Sequence, residues 1–156
     1  MTRQVISLRI YLDNCCYNRP YDDQTQLRIS LESQAKLHIQ DLVKDGKLEL
    51  AASYALTYEN SRNRFDVKRT AITRFLEDNV SIYIDATHAE QAGSIAASIQ
   101  QTGVKAMDAL HTACAIIAHC DYLLTTDDRL LKYHTDRIRI VDPTEFIRIL
   151  GGENDE

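Results

Sequence analysis

The chain has no tryptophan, two prolines and five glycines in 156 residues. With so few breakers there is little room for long loops, flexible linkers or low-complexity tracts, and no internal repeat stands out. No apolar run approaches the roughly 18 residues that a membrane helix needs. The N-terminal stretch Met1-Thr2-Arg3-Gln4-Val5-Ile6-Ser7 is short in apolar residues and is broken soon after by Arg9, so it is not expected to be a secretory signal. Four cysteines, Cys15, Cys16, Cys114 and Cys120, contain no Cys-x-x-Cys pair. Their spacing argues against a zinc site and leaves reduced, partly buried thiols as the expectation, in a cytoplasmic protein. Positive charge is also not in excess. Eighteen Lys and Arg against 23 Asp and Glu give a net charge of -5. That excludes a protein that coats duplex nucleic acid through bulk charge. It does not exclude a nuclease, because cations bound locally cancel the negative charge where it matters.

What remains is an ordinary globular composition, 44% hydrophobic and 26% charged, in a length that suits one domain with a proper core. Short apolar runs alternate with longer periodic segments. Strands are predicted over Leu8–Leu12, Leu48–Ala52, Val80–Ile84, Tyr122–Thr125 and Ile138–Val141. Asp13–Asp22 reads as a loop with a turn at Asn18-Arg19-Pro20. Helices are predicted over Asp23–Lys44, from an N-cap at Ser53 to about Asn79, over Thr87–Gln101, Met107–His119, Asp127–Tyr133 and Pro143–Leu150. In the first of these, Leu27, Leu31, Ala35, Ile39 and Leu42 are expected on one buried face. Met107–His119 is nearly all apolar or small and is expected to lie deep. The alternation implies an α/β fold: a single three-layer α/β/α domain with a mainly parallel central sheet, spanning residues 1–150, with an acidic, frayed tail at 151–156.

Four acids fall at places such a fold brings together. Asp13 ends Ile10-Tyr11-Leu12, Glu59 lies six residues past Ser53, Asp108 opens a small-residue helix, and Asp127 follows Leu124-Thr125-Thr126. Strand C-terminal ends of a parallel sheet share one edge, where ligands bind. Carboxylates crowded there repel unless a cation sits among them, and Mg²⁺ and Mn²⁺ prefer oxygen ligands. Each acid has a plainer reading: Asp13 as a turn residue, Asp108 as a helix N-terminal charge, Asp127 as an N-cap. Glu59 resists such a reading, because Leu56 and Tyr58 beside it look buried. His111 lies one turn from Asp108 and reads as a packed, hydrogen-bonded histidine.

Taken in order, Ile10-Tyr11-Leu12-Asp13, Ser53-Tyr54-Ala55-Leu56-Thr57-Tyr58-Glu59, Met107-Asp108-Ala109-Leu110-His111-Thr112-Ala113 and Leu124-Thr125-Thr126-Asp127 resemble the PIN domain, whose bacterial examples include VapC-type toxins. One departure is Cys15, where the family often has Ser, Thr or Asn; a thiol is a poor donor. Asp128 adjoins the fourth position, and alignment on the threonine favours Asp127. The resemblance implies a metal-dependent endoribonuclease using Mg²⁺ or Mn²⁺. Asp13 and Asp108 would ligate directly, and Glu59 and Asp127 would act through water or orient the nucleophile. It also implies a homodimer and a small antitoxin that inserts a segment into the acidic site, with the Asp23–Lys44 and Glu59 helices as candidate partner surfaces. Substrate contacts are expected from Arg19, Arg62, Arg69 and Arg129, with Arg62 and Arg69 on one helix face. Tyr17 and Tyr21 would stack bases. The competing reading is a catalytically inactive PIN-like scaffold that binds RNA or protein. A phosphatase is disfavoured because Asp13-Asn14-Cys15 lacks a second aspartate. A receiver domain is disfavoured because Ile140-Val141-Asp142 lacks the lysine.

Overall fold

The computed structural model describes residues 7–154; the first six residues, which include most of the segment weighed above as a signal peptide, and the last two lie outside it. Five strands, β1 (Leu8–Leu12), β2 (Leu48–Ser53), β3 (Ile82–Ile84), β4 (Tyr122–Leu124) and β5 (Arg139–Val141), form one sheet in the order β3-β2-β1-β4-β5. Every pairing is parallel. Among the described residues, eight α-helices connect and flank the strands: α1 (Asn14–Asn18), α2 (Leu27–Lys44), α3 (Tyr54–Ser61), α4 (Asp66–Asn79), α5 (Ala89–Gln100), α6 (Ala106–Ile117), α7 (Asp128–Leu131) and α8 (Pro143–Asn154). This is the expected three-layer α/β/α arrangement. No described helix is long and apolar enough to cross a membrane.

The central strands carry continuous apolar runs because a parallel sheet is covered on both faces. Ile10, Tyr11, Leu12, Leu50, Ala51, Leu123 and Leu124 have no solvent exposure. Ile10 aligns with Leu50 on one side and Tyr122 on the other, so β1 is the middle of the core. The chain winds outward from β1 through β2 to β3, then returns to the opposite side of β1 for β4. The topological switch therefore falls between β1 and β4, the place where such sheets open a crevice. Asp13 and Asp127 follow those two strands. α6 is lined with Ala109, Ala113, Cys114 and Ala115, all buried, and small side chains let it lie close against its neighbours.

Several local expectations are corrected. The Asp13–Asp22 segment is not a loop: Asp13 caps α1, accepting from the Asn14 N–H, and Arg19–Tyr21 forms a 3-10 turn. The predicted continuous helix from Ser53 to Asn79 is two helices. Asn63 Oδ1 accepts the Phe65 N–H at 3.1 Å, and Asn60 Nδ2 donates to the Arg69 carbonyl and to Thr73 Oγ1, which pins the corner without glycine or proline. The buried face of α2 is rotated. Glu32, Ala35, Lys36, Ile39 and Val43 are buried, whereas Leu27 is 73% and Leu31 45% exposed. Glu32 is held inside by Arg19 at 2.9 Å and Arg28 at 3.4 Å, so an ion pair, not leucine, sets that face. α2 begins at Leu27, and α8 runs past Leu150 to Asn154.

Candidate metal centre

The first acid is the most constrained. Asp13 is only 4% exposed, because it ends β1, the central strand, at the switch point beside β4. Its Oδ1 accepts the Asn14 N–H at 2.7 Å. Its Oδ2 accepts the Thr125 hydroxyl at 2.9 Å and the Cys15 thiol at 3.4 Å. The Cys15 sulfur also accepts the Thr126 N–H at 3.3 Å. The thiol therefore packs as a weak donor, and Thr125, across the switch point on the β4 side, supplies the strong hydroxyl. Thr125 then accepts the Asp127 N–H at 3.1 Å, coupling the first acid to the fourth.

Asp127 caps α7, with Oδ1 accepting the N–H groups of Arg129 and Leu130. The neighbouring Asp128 is turned away, paired with Arg28 at 2.8 Å. Arg28 also donates to the Thr126 carbonyl, tying α2 to the segment that carries the fourth acid. Glu59 lies near the end of α3. Its Oε1 is 2.6 Å from Nε2 of His111, a fully buried residue of α6, and that nitrogen is 3.8 Å from Asp13 Oδ1. One ligand atom from each of Asp13, Glu59 and His111 lies within 4.8 Å of the others.

Asp108, in the first turn of α6, completes the electrostatics. Its carboxyl is pushed up to about 6, first by burial and next by the negative charges of Asp13 and Asp127; Glu59 adds to the rise and His111 offsets part of it. Asp13, Asp127 and Glu59 thus all act on Asp108. His111 is itself raised. Burial opposes its charge, but the Glu59 hydrogen bond and the Asp13, Glu59 and Asp108 carboxylates outweigh burial. The remaining nitrogen of His111, Nδ1, is 2.7 Å from the Tyr11 hydroxyl, which is 2.7 Å from Ser53 Oγ.

The predicted substrate-binding cations are placed differently. Arg19 is bound to Glu32 and Asp22. Arg62 ends α3 and donates to the Tyr58 hydroxyl, while Arg69 belongs to the separate helix α4 and is bound to Asp66 and the Asn63 carbonyl. Their spacing on a single helix face does not hold, because the helix is broken between them. Arg129 is exposed, and among the described residues its side chain makes no hydrogen bond or ion pair. Tyr17 has no exposure and cannot stack a base; Tyr21, at 50%, is open to solvent. Tyr58, expected beside Glu59 as a buried residue, is 51% exposed.

Sequence reasoning missed Thr125, Tyr11 and Ser53 and undervalued His111. A faint signal existed: a tyrosine inside the central strand must satisfy its hydroxyl somewhere.

A PIN domain family model matches residues 10–135, and the chain belongs to that family. Among solved structures, the chain is similar to that of VapBC2 from Rickettsia felis bound to a DNA fragment from their promoter: 15% identity, 85% of this chain and 97% of that one, TM-score 0.54. It is also similar to FitAB bound to an IR36 DNA fragment, at 17% identity, 86% and 95% coverage and a TM-score of 0.53. FitAcB from Neisseria gonorrhoeae gives 16%, 86%, 97% and 0.50. At these identities the likeness establishes the fold. No curated protein sequence matches the chain.

The donor set suits a hard divalent cation: Asp13 and Glu59 bring carboxylate oxygens within 4.8 Å of each other. The Asp108 carboxyl, raised to about 6 first by burial, is raised further by Asp13, Asp127 and Glu59.

Proposed function

We propose that the chain is a Mg²⁺- or Mn²⁺-dependent endoribonuclease, the toxin of a toxin–antitoxin pair, acting in the cytoplasm. The observation that carries this reading is the grouping of Asp13 and Glu59, with ligand atoms within 4.8 Å of each other, at the C-terminal edge of the sheet of a PIN domain. Asp13 and Asp108 would hold the ion directly, with Glu59 and Asp127 completing the cluster. The ion, when bound, would supply a nucleophile at neutral pH and neutralise phosphate charge.

The chain's own residues do the positioning. Thr125 and the Asn14 N–H hold Asp13, and the α7 cap fixes Asp127. The unpaired Arg129, two residues beyond Asp127, is the cation best placed to meet an RNA phosphate; Arg19, Arg62 and Arg69 contribute by shaping the surface. An antitoxin and a second copy of the chain need apolar surface. Exposed Leu27, Leu31 and Leu37 on α2, and Phe65 and Val67 at the α3–α4 corner, offer it.

The test is cleavage of labelled RNA by the purified chain with Mn²⁺, Mg²⁺ or EDTA, beside Asp13→Asn. Metal-dependent products that vanish in the variant, while its circular dichroism stays native, support the reading. Full activity in Asp13→Asn would remove it. Neither cleavage nor a Mn²⁺-induced rise in melting temperature would favour the inactive scaffold, since a ligand of the native state must stabilise it.

A further inference from the structure

Glu59 stands on the last full turn of α3, just before the chain breaks direction, and the hydrogen bond that fixes its carboxylate comes from another helix. A carboxylate only accepts, so the 2.6 Å contact puts a proton on Nε2 of His111. In the neutral ring Nδ1 then accepts, and the group 2.7 Å from it is the Tyr11 hydroxyl, which donates. Tyr11 Oη is left to accept from Ser53 Oγ at 2.7 Å. The result is a one-way chain, Ser53 to Tyr11 to His111 to Glu59, in which each donor meets one acceptor. Ser53, Tyr11 and His111 have no solvent exposure, so water offers no alternative partner.

We propose that His111, oriented by Tyr11 and Ser53, is a positioning residue that holds the Glu59 carboxylate against Asp13 and so sets the affinity of the acid cluster for a divalent cation, without being a ligand itself. The inference rests on the metal-centre reading above. Direct ligation by Nε2 would need its lone pair, hence the proton moved to Nδ1. That exchange would reverse Tyr11 toward Ser53 and leave Glu59 without its donor. Asp108 and His111 are three residues apart on α6, on one helix face. A single helix register therefore places one acid of the cluster and the clamp for another.

The experiment is calorimetric titration of the full chain with Mn²⁺ alone, without RNA, for wild type, His111→Ala, His111→Gln and Tyr11→Phe. Loss of an outer partner of this kind weakens metal binding by about 10–100-fold, the effect expected of His111→Ala and Tyr11→Phe. His111→Gln, whose amide can place an N–H where Nε2–H lay, should recover most of the loss. Equal weakening in Gln and Ala would overturn the proposal in favour of direct ligation. Variants that bind as wild type does would overturn it outright.

Should a variant fail to fold, the imidazole ¹⁵N–¹H spectrum of metal-free wild type still decides the proton placement. A protonated Nε2 is expected, and a deprotonated Nε2 overturns the chain. If wild type binds no Mn²⁺, the metal-centre reading falls and takes the effect on affinity with it. That outcome is distinct from wild-type binding that the variants leave unchanged, which overturns the positioning role alone.

Discussion

Tyr11 and Tyr17 are both fully buried and lie six residues apart, yet their surroundings are opposite. The Tyr11 hydroxyl has Ser53 and His111 each at 2.7 Å. The Tyr17 hydroxyl has no partner among the described residues. Above the Tyr17 ring, at 5.3 Å, sits the Lys36 ammonium, itself buried and 5.9 Å from the Phe75 ring. Among the described residues no carboxylate pairs with it. Burial and, less, the nearby Lys44 charge bring Lys36 down to about 8; Cys16 works in the other direction. A polar group in a core costs free energy unless its hydrogen bonds are made. One cluster meets that condition and ends on a carboxylate of the candidate site. The other is held by packing and cation–π attraction, beside a cavity of about 250 Å³ lined by Lys36, Lys44, Tyr21 and Phe75.

The contrast can be broken by substitution. Tyr11→Phe leaves the Nδ1 of His111 and the Ser53 hydroxyl without their partner, and should cost about 1–3 kcal/mol in urea denaturation. A neutral result would mean the chain is not satisfied as drawn. Lys36→Met should act in the opposite sense. The fall from 10.5 to about 8 corresponds to at most about 3 kcal/mol of destabilisation, and lost cation–π contacts reduce the net gain to about 1–2 kcal/mol at pH 7.

The sign follows from linkage. Between about 8 and 10.5 the unfolded lysine holds its proton while the native one does not, so wild-type stability rises with pH through that window. The advantage of Lys36→Met is therefore full below pH 8 and gone by about 10.5, which denaturation midpoints across pH would show.

Smaller effects sharpen the site. The Asp108 carboxyl is raised to about 6, so the native state binds the extra proton and stability falls as pH rises from about 4 to 6. Asp108→Asn should then raise stability at pH 7.5 by about 1 kcal/mol, after allowance for solvent screening, with no gain at pH 4. Mn²⁺ affinity of the wild type should decline as pH drops through 6, when Asp108 takes up its proton. The least change is expected from Tyr17→Phe, under about 1 kcal/mol and in the stabilising direction, because it removes an orphaned hydroxyl. A clear loss there would reveal a hydrogen bond that the fold keeps for that group.

The positions of three of the proposed acids were legible in the sequence, because each follows a pattern of its own element: Asp13 a strand end, Asp108 a helix opening, Asp127 a threonine-rich strand end. Their supports were not. The buried side of α2 was misjudged because leucines suggested one face while Glu32, neutralised by Arg19 and Arg28, occupies another. The corner between α3 and α4 carries no glycine or proline, only asparagine side chains whose partners lie up to 13 residues away. The cationic surface was overestimated for the same reason: Arg19 and Arg69 face carboxylates that spacing alone does not reveal.

Periodicity and punctuation in the amino-acid sequence were enough to specify a parallel α/β domain and the order of its four acids, since apolar repeats and breakers act over a few residues. Which partners close on those acids was decided only by tertiary structure. Thr125 reaches Asp13 because β4 lies beside β1, and His111 reaches Glu59 and Tyr11 because α6 packs near the C-terminal ends of β1 and β2. Hydrogen bonds over 52 to 112 residues of separation require the whole sheet to be in register before any of them can form.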